Sequence, residues 1–181
     1  WGQDFLLHTS GTTMNSALPV SVTPTFGSKT PSAPEPAPEG HKVRPTSGLE
    51  IVSSRHFPDE VQGDIIYANA LGFLGIKQVK IEDDSTGWKT SHRHDLLTSK
   101  DGNFRPVDLE FAPDGSLYVI DWHNVLIGHM QHNARDPLRD HVHGRVYRIT
   151  YPSRPLVPVV PVDGAPVTAL LDNLKLPELR V

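Results

Sequence analysis

Apolar and polar positions alternate most clearly between Phe104 and Thr150. VDLEF (107–111) alternates as a half-buried strand does, and LYVID (117–121) repeats the pattern with aromatic and β-branched residues. APDGS (112–116) between them has turn chemistry. Pro113 presets φ, Asp114 can bond its own backbone, and Gly115 accepts positive φ. A third alternating strand, GRVYRIT (144–150), follows a longer excursion from the sheet. Upstream, DFLLHTS (4–10), SGLEIVSS (47–54), DIIYANAL (64–71), IKQVKIED (76–83) and SHRHDLLTS (91–99) read as further strands. Between two of them, HFPDEVQGD (56–64) reads as a loop or a single helical turn. Near the C-terminus the period changes. Leu170, Leu171, Leu174 and Leu176 fit the start of an amphipathic helix over 167–181, broken near Pro177.

Short strands at regular spacing, with no long helix before residue 165, predict an all-β fold: a sandwich, a barrel or a propeller. A strand–PDG–strand unit with one more strand after a loop suits a four-stranded propeller blade. Residues 47–98 supply three or four strands more, so the chain holds roughly two blades. Two stretches interrupt this. Residues 31–46 are rich in proline and read as an exposed extended loop. Residues 152–166 carry too many prolines for a central strand and read as an extended linker. The expected organisation is therefore 1–151 as propeller, 152–166 as linker and 167–181 as the start of a helical region.

Composition narrows the chemistry. The chain has 181 residues, a net charge of −4 and no cysteine. It carries no basic footprint for nucleic acid. Disulfides, Cys-ligated zinc, covalent haem attachment and thiol nucleophiles are excluded within it. No apolar run approaches the ~20 residues of a membrane helix. The chain opens at Trp1 and ends as a helix begins, and it reads as an internal piece of a longer protein, whose lone blades would leave apolar faces uncovered.

Tight antiparallel pairing sets the start of one strand beside the end of the next. Arg105, Asp108, Asp121, His123, His143 and Arg145 should thus approach one rim. The loop over it, GHMQHNARDPLRDHVH (128–143), holds four of the chain's ten histidines. Three readings stay open. Asp121, His123, His129, His132, His141 and His143 could ligate a metal, since imidazole and carboxylate suit transition ions. His123, His129, His132 and His143 could carry protons or bind substrate. Or the loop could be stapled by its own charges, with Arg135, Asp136, Arg139 and Asp140 alternating in sign. Asp108 and Asp121 are equally readable as backbone braces or as calcium or substrate ligands. Trp122 is readable as core or as a sugar-stacking platform. His92 and His94 share a strand face, more simply a solvated one than a metal pair. His8 is a strand or loop residue.

RPVD (105–108), PDGSLYVIDW (113–122), GHMQH (128–132), RDPLRD (135–140) and HGRVYRIT (143–150) together resemble the exported planctomycete and verrucomicrobial proteins described as membrane-bound dehydrogenase-domain or haem-binding CxxCH proteins. Their N-terminal part is similar to the six-bladed glucose/sorbosone dehydrogenase propeller, followed by helical repeats and a cytochrome c domain. The resemblance implies a periplasmic or cell-envelope location and oxidation of a sugar or alcohol with pyrroloquinoline quinone (PQQ) and calcium. Electrons would pass to a haem in another domain. Of the family's site residues, Arg105 best matches a cofactor-binding arginine. From the rim's own residues, Asp108 and Arg145 are further cofactor candidates, and Asp121 and His141 metal candidates. The catalytic histidine of that family lies in an earlier blade. The alternative is a non-catalytic propeller that binds carbohydrate or protein partners.

Overall fold

The computed structural model describes residues 6–9, 46–71, 73–127 and 135–179. The proline-rich stretch expected at 31–46 lies outside them apart from Thr46.

Through residue 150 the described residues are mostly β, in two four-stranded antiparallel sheets. The first sheet is a simple meander of β2 (Leu49–Ile51), β3 (Ile65–Asn69), β4 (Gly75–Asp84) and β5 (Gly87–Thr98). In the second, β6 (Pro106–Phe111), β7 (Leu117–Asp121) and β8 (Arg145–Thr150) follow in order, and β1 (Leu6–Thr9) adds to β8 as the fourth strand. Each described strand expected from the alternation is present. The helical turn between β2 and β3 is a three-residue 3₁₀ turn, Asp59–Val61.

Register explains the core. Leu109 pairs with Val119 and Val119 with Tyr147, while Phe111 pairs with Leu117 and Leu117 with Ile149. Two rows of apolar side chains therefore point to one face of the second sheet, as period-two alternation requires. Ile66, Ala68, Ile76 and Leu97 do the same in the first sheet, and all join one buried cluster. Each fully buried side chain of this size contributes roughly 1.5–3 kcal/mol. Phe57 meets Phe111 edge-on at 5.2 Å, and Phe104 meets Tyr147 at 5.7 Å. β2 and β6 approach so closely that a side chain at Gly48 would sit 2.7 Å from the Asp108 Cα. This contact sets the two sheets edge by edge along those strands.

The outer face of each sheet is less covered. Leu49 and Ile51 are more than half exposed on β2, and Ile120 and Val146 are exposed on the second sheet. No described helix is long and apolar enough to cross a membrane. After β8 the chain runs without helix or strand to α1 (Val167–Asn173) and a terminal 3₁₀ turn at Pro177–Leu179. The extended stretch is not detached from the sheets, since the Val157 N–H donates to Asp114 O at 2.8 Å.

Candidate functional site

The rim at the start of β6 and the end of β7 is organised by Asp121. β7 ends there, and its carboxylate is buried. Oδ1 accepts the backbone N–H of Arg105 at 2.7 Å and that of His123 at 2.8 Å. Oδ2 accepts Arg145 Nε at 2.6 Å. Arg145 Nη1 in turn reaches Asp101 Oδ2 at 2.8 Å. One carboxylate thus joins the starts of β6 and β8 to the end of β7, and Arg145 extends the network to the preceding turn. Of the two readings open for Asp121, the structure places it as a brace.

The network shifts its members in line with these contacts. Burial works to raise the Asp101 carboxyl, but the Asn103 N–H and the Arg145 guanidinium outweigh it and hold the group below the usual carboxylate range. Burial likewise works against the Arg145 charge, yet Asp101 and Asp121 carry its pKa upward. Arg105 goes the other way, lowered by burial that its neighbouring carboxylates only partly offset. Its guanidinium faces backbone, with Nη1 donating to Phe104 O at 3.0 Å and Nη2 to Val125 O at 2.9 Å. Arg105 therefore pins the chain beyond β7 to the start of β6.

The histidines separate. His123 adopts a left-handed conformation, φ 54°, held by its N–H on Asp121. For a residue with a Cβ this is a strained state that neighbours must enforce. Its ring meets that of His143 at 6.2 Å, nearly perpendicular. Asp140 lies between them: its Oδ2 is 2.8 Å from His143 Nδ1 and 3.9 Å from His123 Nε2. Asp140 Oδ1 accepts the N–H groups of Val142 and His143. The Val142 N–H, with the His143 ring and N–H behind it, brings the Asp140 carboxyl down to about 2. Asn124 is buried and donates to Asp140 O at 3.0 Å, which ties the far end of the loop to the stretch after β7.

The other residues singled out in the sequence scatter. His141 is exposed and Asp108 lies exposed on β6, where its carboxylate accepts the Leu109 N–H. His129 and His132 lie outside the described residues. Trp122 is 40% exposed, with the Arg139 guanidinium 5.1 Å over its ring, and so is not core. A register shift on β4–β5 separates His92 from His94: His92 is exposed and bonds Asp95, whereas burial lowers the pKa of His94. Among the described residues no group of three or more His, Asp or Glu is placed to hold a metal.

Calcium and PQQ would each need particular donors at this rim. Calcium needs several oxygens free to converge, and the Asp121 oxygens are taken by three N–H donors. A planar cofactor carboxylate needs an open guanidinium fork. Arg105 spends its fork on two backbone carbonyls, and Arg145 on two aspartates. The described residues of this rim fit neither group. What the rim does offer is an imidazole, His143, oriented by an ionised carboxylate, next to a second imidazole.

Two residues of the rim carried little signal in the sequence. Asp101 sits in a KDGN turn, and Asp140 reads as one charge in an alternating run. The only cue to Asp140 was its place three residues before His143, the reach of an Asx turn that returns to the next N–H groups.

No curated protein and no solved structure matches the chain. A family model described as a domain of unknown function (DUF7133) matches residues 10–153, well over half of the 181 residues. The chain belongs to this DUF7133 family.

Proposed function

We propose that the chain forms two consecutive blades of a β-propeller in a dehydrogenase-like protein that oxidises a sugar or alcohol, with electrons leaving to a haem domain elsewhere in the full-length protein. The observation that carries the propeller reading is the strand order. Each sheet holds a meander that begins at an edge strand, β2 or β6, and these two strands lie against each other. Successive blades around an axis have this relation. β1 adds outside β8, as a strand from a distant part of the chain does when it completes a blade. The uncovered apolar residues on both outer faces are what neighbouring blades would bury.

In this reading the two blades contribute a wall and a loop to the mouth of the propeller. Asp121, Arg145, Asp101 and Arg105 hold that wall. The oxidoreductase role itself rests on the family resemblance of residues 105–150. The runner-up, a non-catalytic propeller that binds carbohydrate or protein, is favoured by one observation: both rim arginines are engaged within the chain.

The test uses the full-length protein. Sugar- or alcohol-dependent reduction of an artificial electron acceptor is measured with and without added PQQ and calcium. The oxidoreductase reading expects turnover. Absence of turnover under every condition, together with retained carbohydrate binding, would overturn it in favour of the binding module.

A further inference from the structure

At the opposite rim the chain's last thirty residues are fastened to both sheets. The β6–β7 turn is pressed against the loop after β2: a side chain at Gly115, φ 83°, would meet His56 Cβ and Ser54 Oγ, each at 2.7 Å, and Val157 Cγ2 at 3.1 Å. Ser54 Oγ donates to Gly115 O at 2.6 Å. His56 is buried at this junction and uses both ring nitrogens. Nε2 accepts the Tyr151 N–H at 2.8 Å, so Nδ1 carries the proton and donates to Pro155 O at 3.0 Å. Arg154 Nη1 donates to Phe57 O at 2.8 Å and to Asp59 Oδ1 at 2.9 Å. Beyond α1, Glu178 is almost fully buried. Its Oε1 accepts both the backbone N–H of Arg55, at 2.7 Å, and Arg55 Nε, at 3.1 Å.

We propose that residues 151–179 are a latch that couples α1 rigidly to the two sheets, fastened first at His56 and then at Arg55. A proline-rich stretch alone would act as a semi-rigid spacer with a free far end. Here both ends are fixed on the same six-residue loop, Ser54 to Asp59, which itself grips the β6–β7 turn. A buried carboxylate is costly unless paired and hydrogen-bonded, so Glu178 holds its position only while Arg55 answers it. The latch sets the orientation of α1, whose Val167 and Leu171 remain exposed, along with Leu174 just beyond it. A movement of the 53–59 loop would therefore be transmitted to α1, and the reverse.

Hydrogen–deuterium exchange on the full-length protein tests this, with Glu178→Ala, Glu178→Gln and the unaltered protein compared. In the unaltered protein the Val157 amide should be protected. Glu178→Ala should speed exchange by about tenfold or more in peptides covering 167–179 and 53–63, while peptides covering β7 stay unchanged. Glu178→Gln, which keeps the volume and loses the charge, should give a smaller increase. Unprotected exchange across 151–166 in the unaltered protein would overturn the latch. So would unchanged rates in Glu178→Ala, or a loss of protection that spreads equally to β7.

Discussion

The two rims of this sheet pair are built from similar residues and do opposite things with them. At the β7-end rim, Asp121 gathers backbone N–H groups and Arg145, and the product is a partly exposed pair of histidines, of which His123 has a strained backbone. At the far rim, His56 and Glu178 are buried, have their polar atoms answered and leave no side chain poised toward solvent. The difference shows where polar groups serve shape alone and where they hold other groups in readiness. A histidine with both nitrogens bonded to backbone is a peg. A histidine oriented through one nitrogen, as His143 is by Asp140, keeps the other for chemistry.

The largest effect separating the rims should come from Asp121→Ala. It leaves the Arg145 cation short of a partner and removes the acceptor for two backbone N–H groups, that of Arg105 buried. Breaking such a buried pair costs about 3–5 kcal/mol, and denaturant unfolding of the full-length protein should show a loss of that order. A loss below about 1 kcal/mol would make Asp121 a spectator.

Gly115→Ala probes the far rim through backbone and space together. The left-handed φ and the 2.7 Å approaches leave no room for a methyl group. The expected destabilisation is roughly 2–3 kcal/mol, again by denaturant unfolding. A neutral result would show that the turn and the Ser54–His56 loop separate freely.

Acid should loosen both rims. Burial works to raise the Glu178 carboxyl, but Arg55 outweighs it and holds the group below its ordinary 4.5. The depressed value means that the latch's contribution is present above pH 4.5 and is lost as pH falls through the folded value. Asp140, at about 2 against an ordinary 3.8, gives up its hold on the histidine loop only between those two values. Protection measured as a function of pH should therefore fall at 167–179 as the pH drops below 4.5, and at 140–143 between 3.8 and about 2. Protection at either segment that is indifferent to acid would contradict the assignment of its partners.

The smallest expected effect is that of Asp140→Asn. The carboxylate sits in a surface loop, so global stability should change little. NMR of the His143 ring should nevertheless show loss of the fixed Nδ1–H tautomer. An unchanged tautomer would remove Asp140 from the account.

Much of the fold was legible in advance. The PDG turn, the alternation in β6, β7 and β8, and the change of period at residue 167 each came from local chemistry that tertiary structure did not override. The rim was legible as a place but not as a network. Antiparallel pairing brought Arg105, Asp121, His123, His143 and Arg145 to one edge, while Asp108, expected beside them, stands exposed on β6 outside the network. Which of them faced each other depended on a carboxylate that bonds backbone N–H groups, and residue type alone does not reveal that choice. Arg105 looked like a ligand arginine, and its partners turned out to be two carbonyl oxygens of its own chain. The latch was hidden for another reason. A proline-rich stretch reads as a spacer, and nothing local to residues 152–166 shows that His56, nearly a hundred residues earlier, takes up Pro155 O and the Tyr151 N–H.

The most direct test of the central claim, that the Asp121 network is a brace which sets the rim, is a double-mutant cycle. Asp121→Asn and Arg145→Met are made singly and together in the full-length protein, and stability is read by denaturant unfolding. A brace requires a coupling of about 1.5–3 kcal/mol between the two sites. Effects that add to within about 0.5 kcal/mol would contradict it.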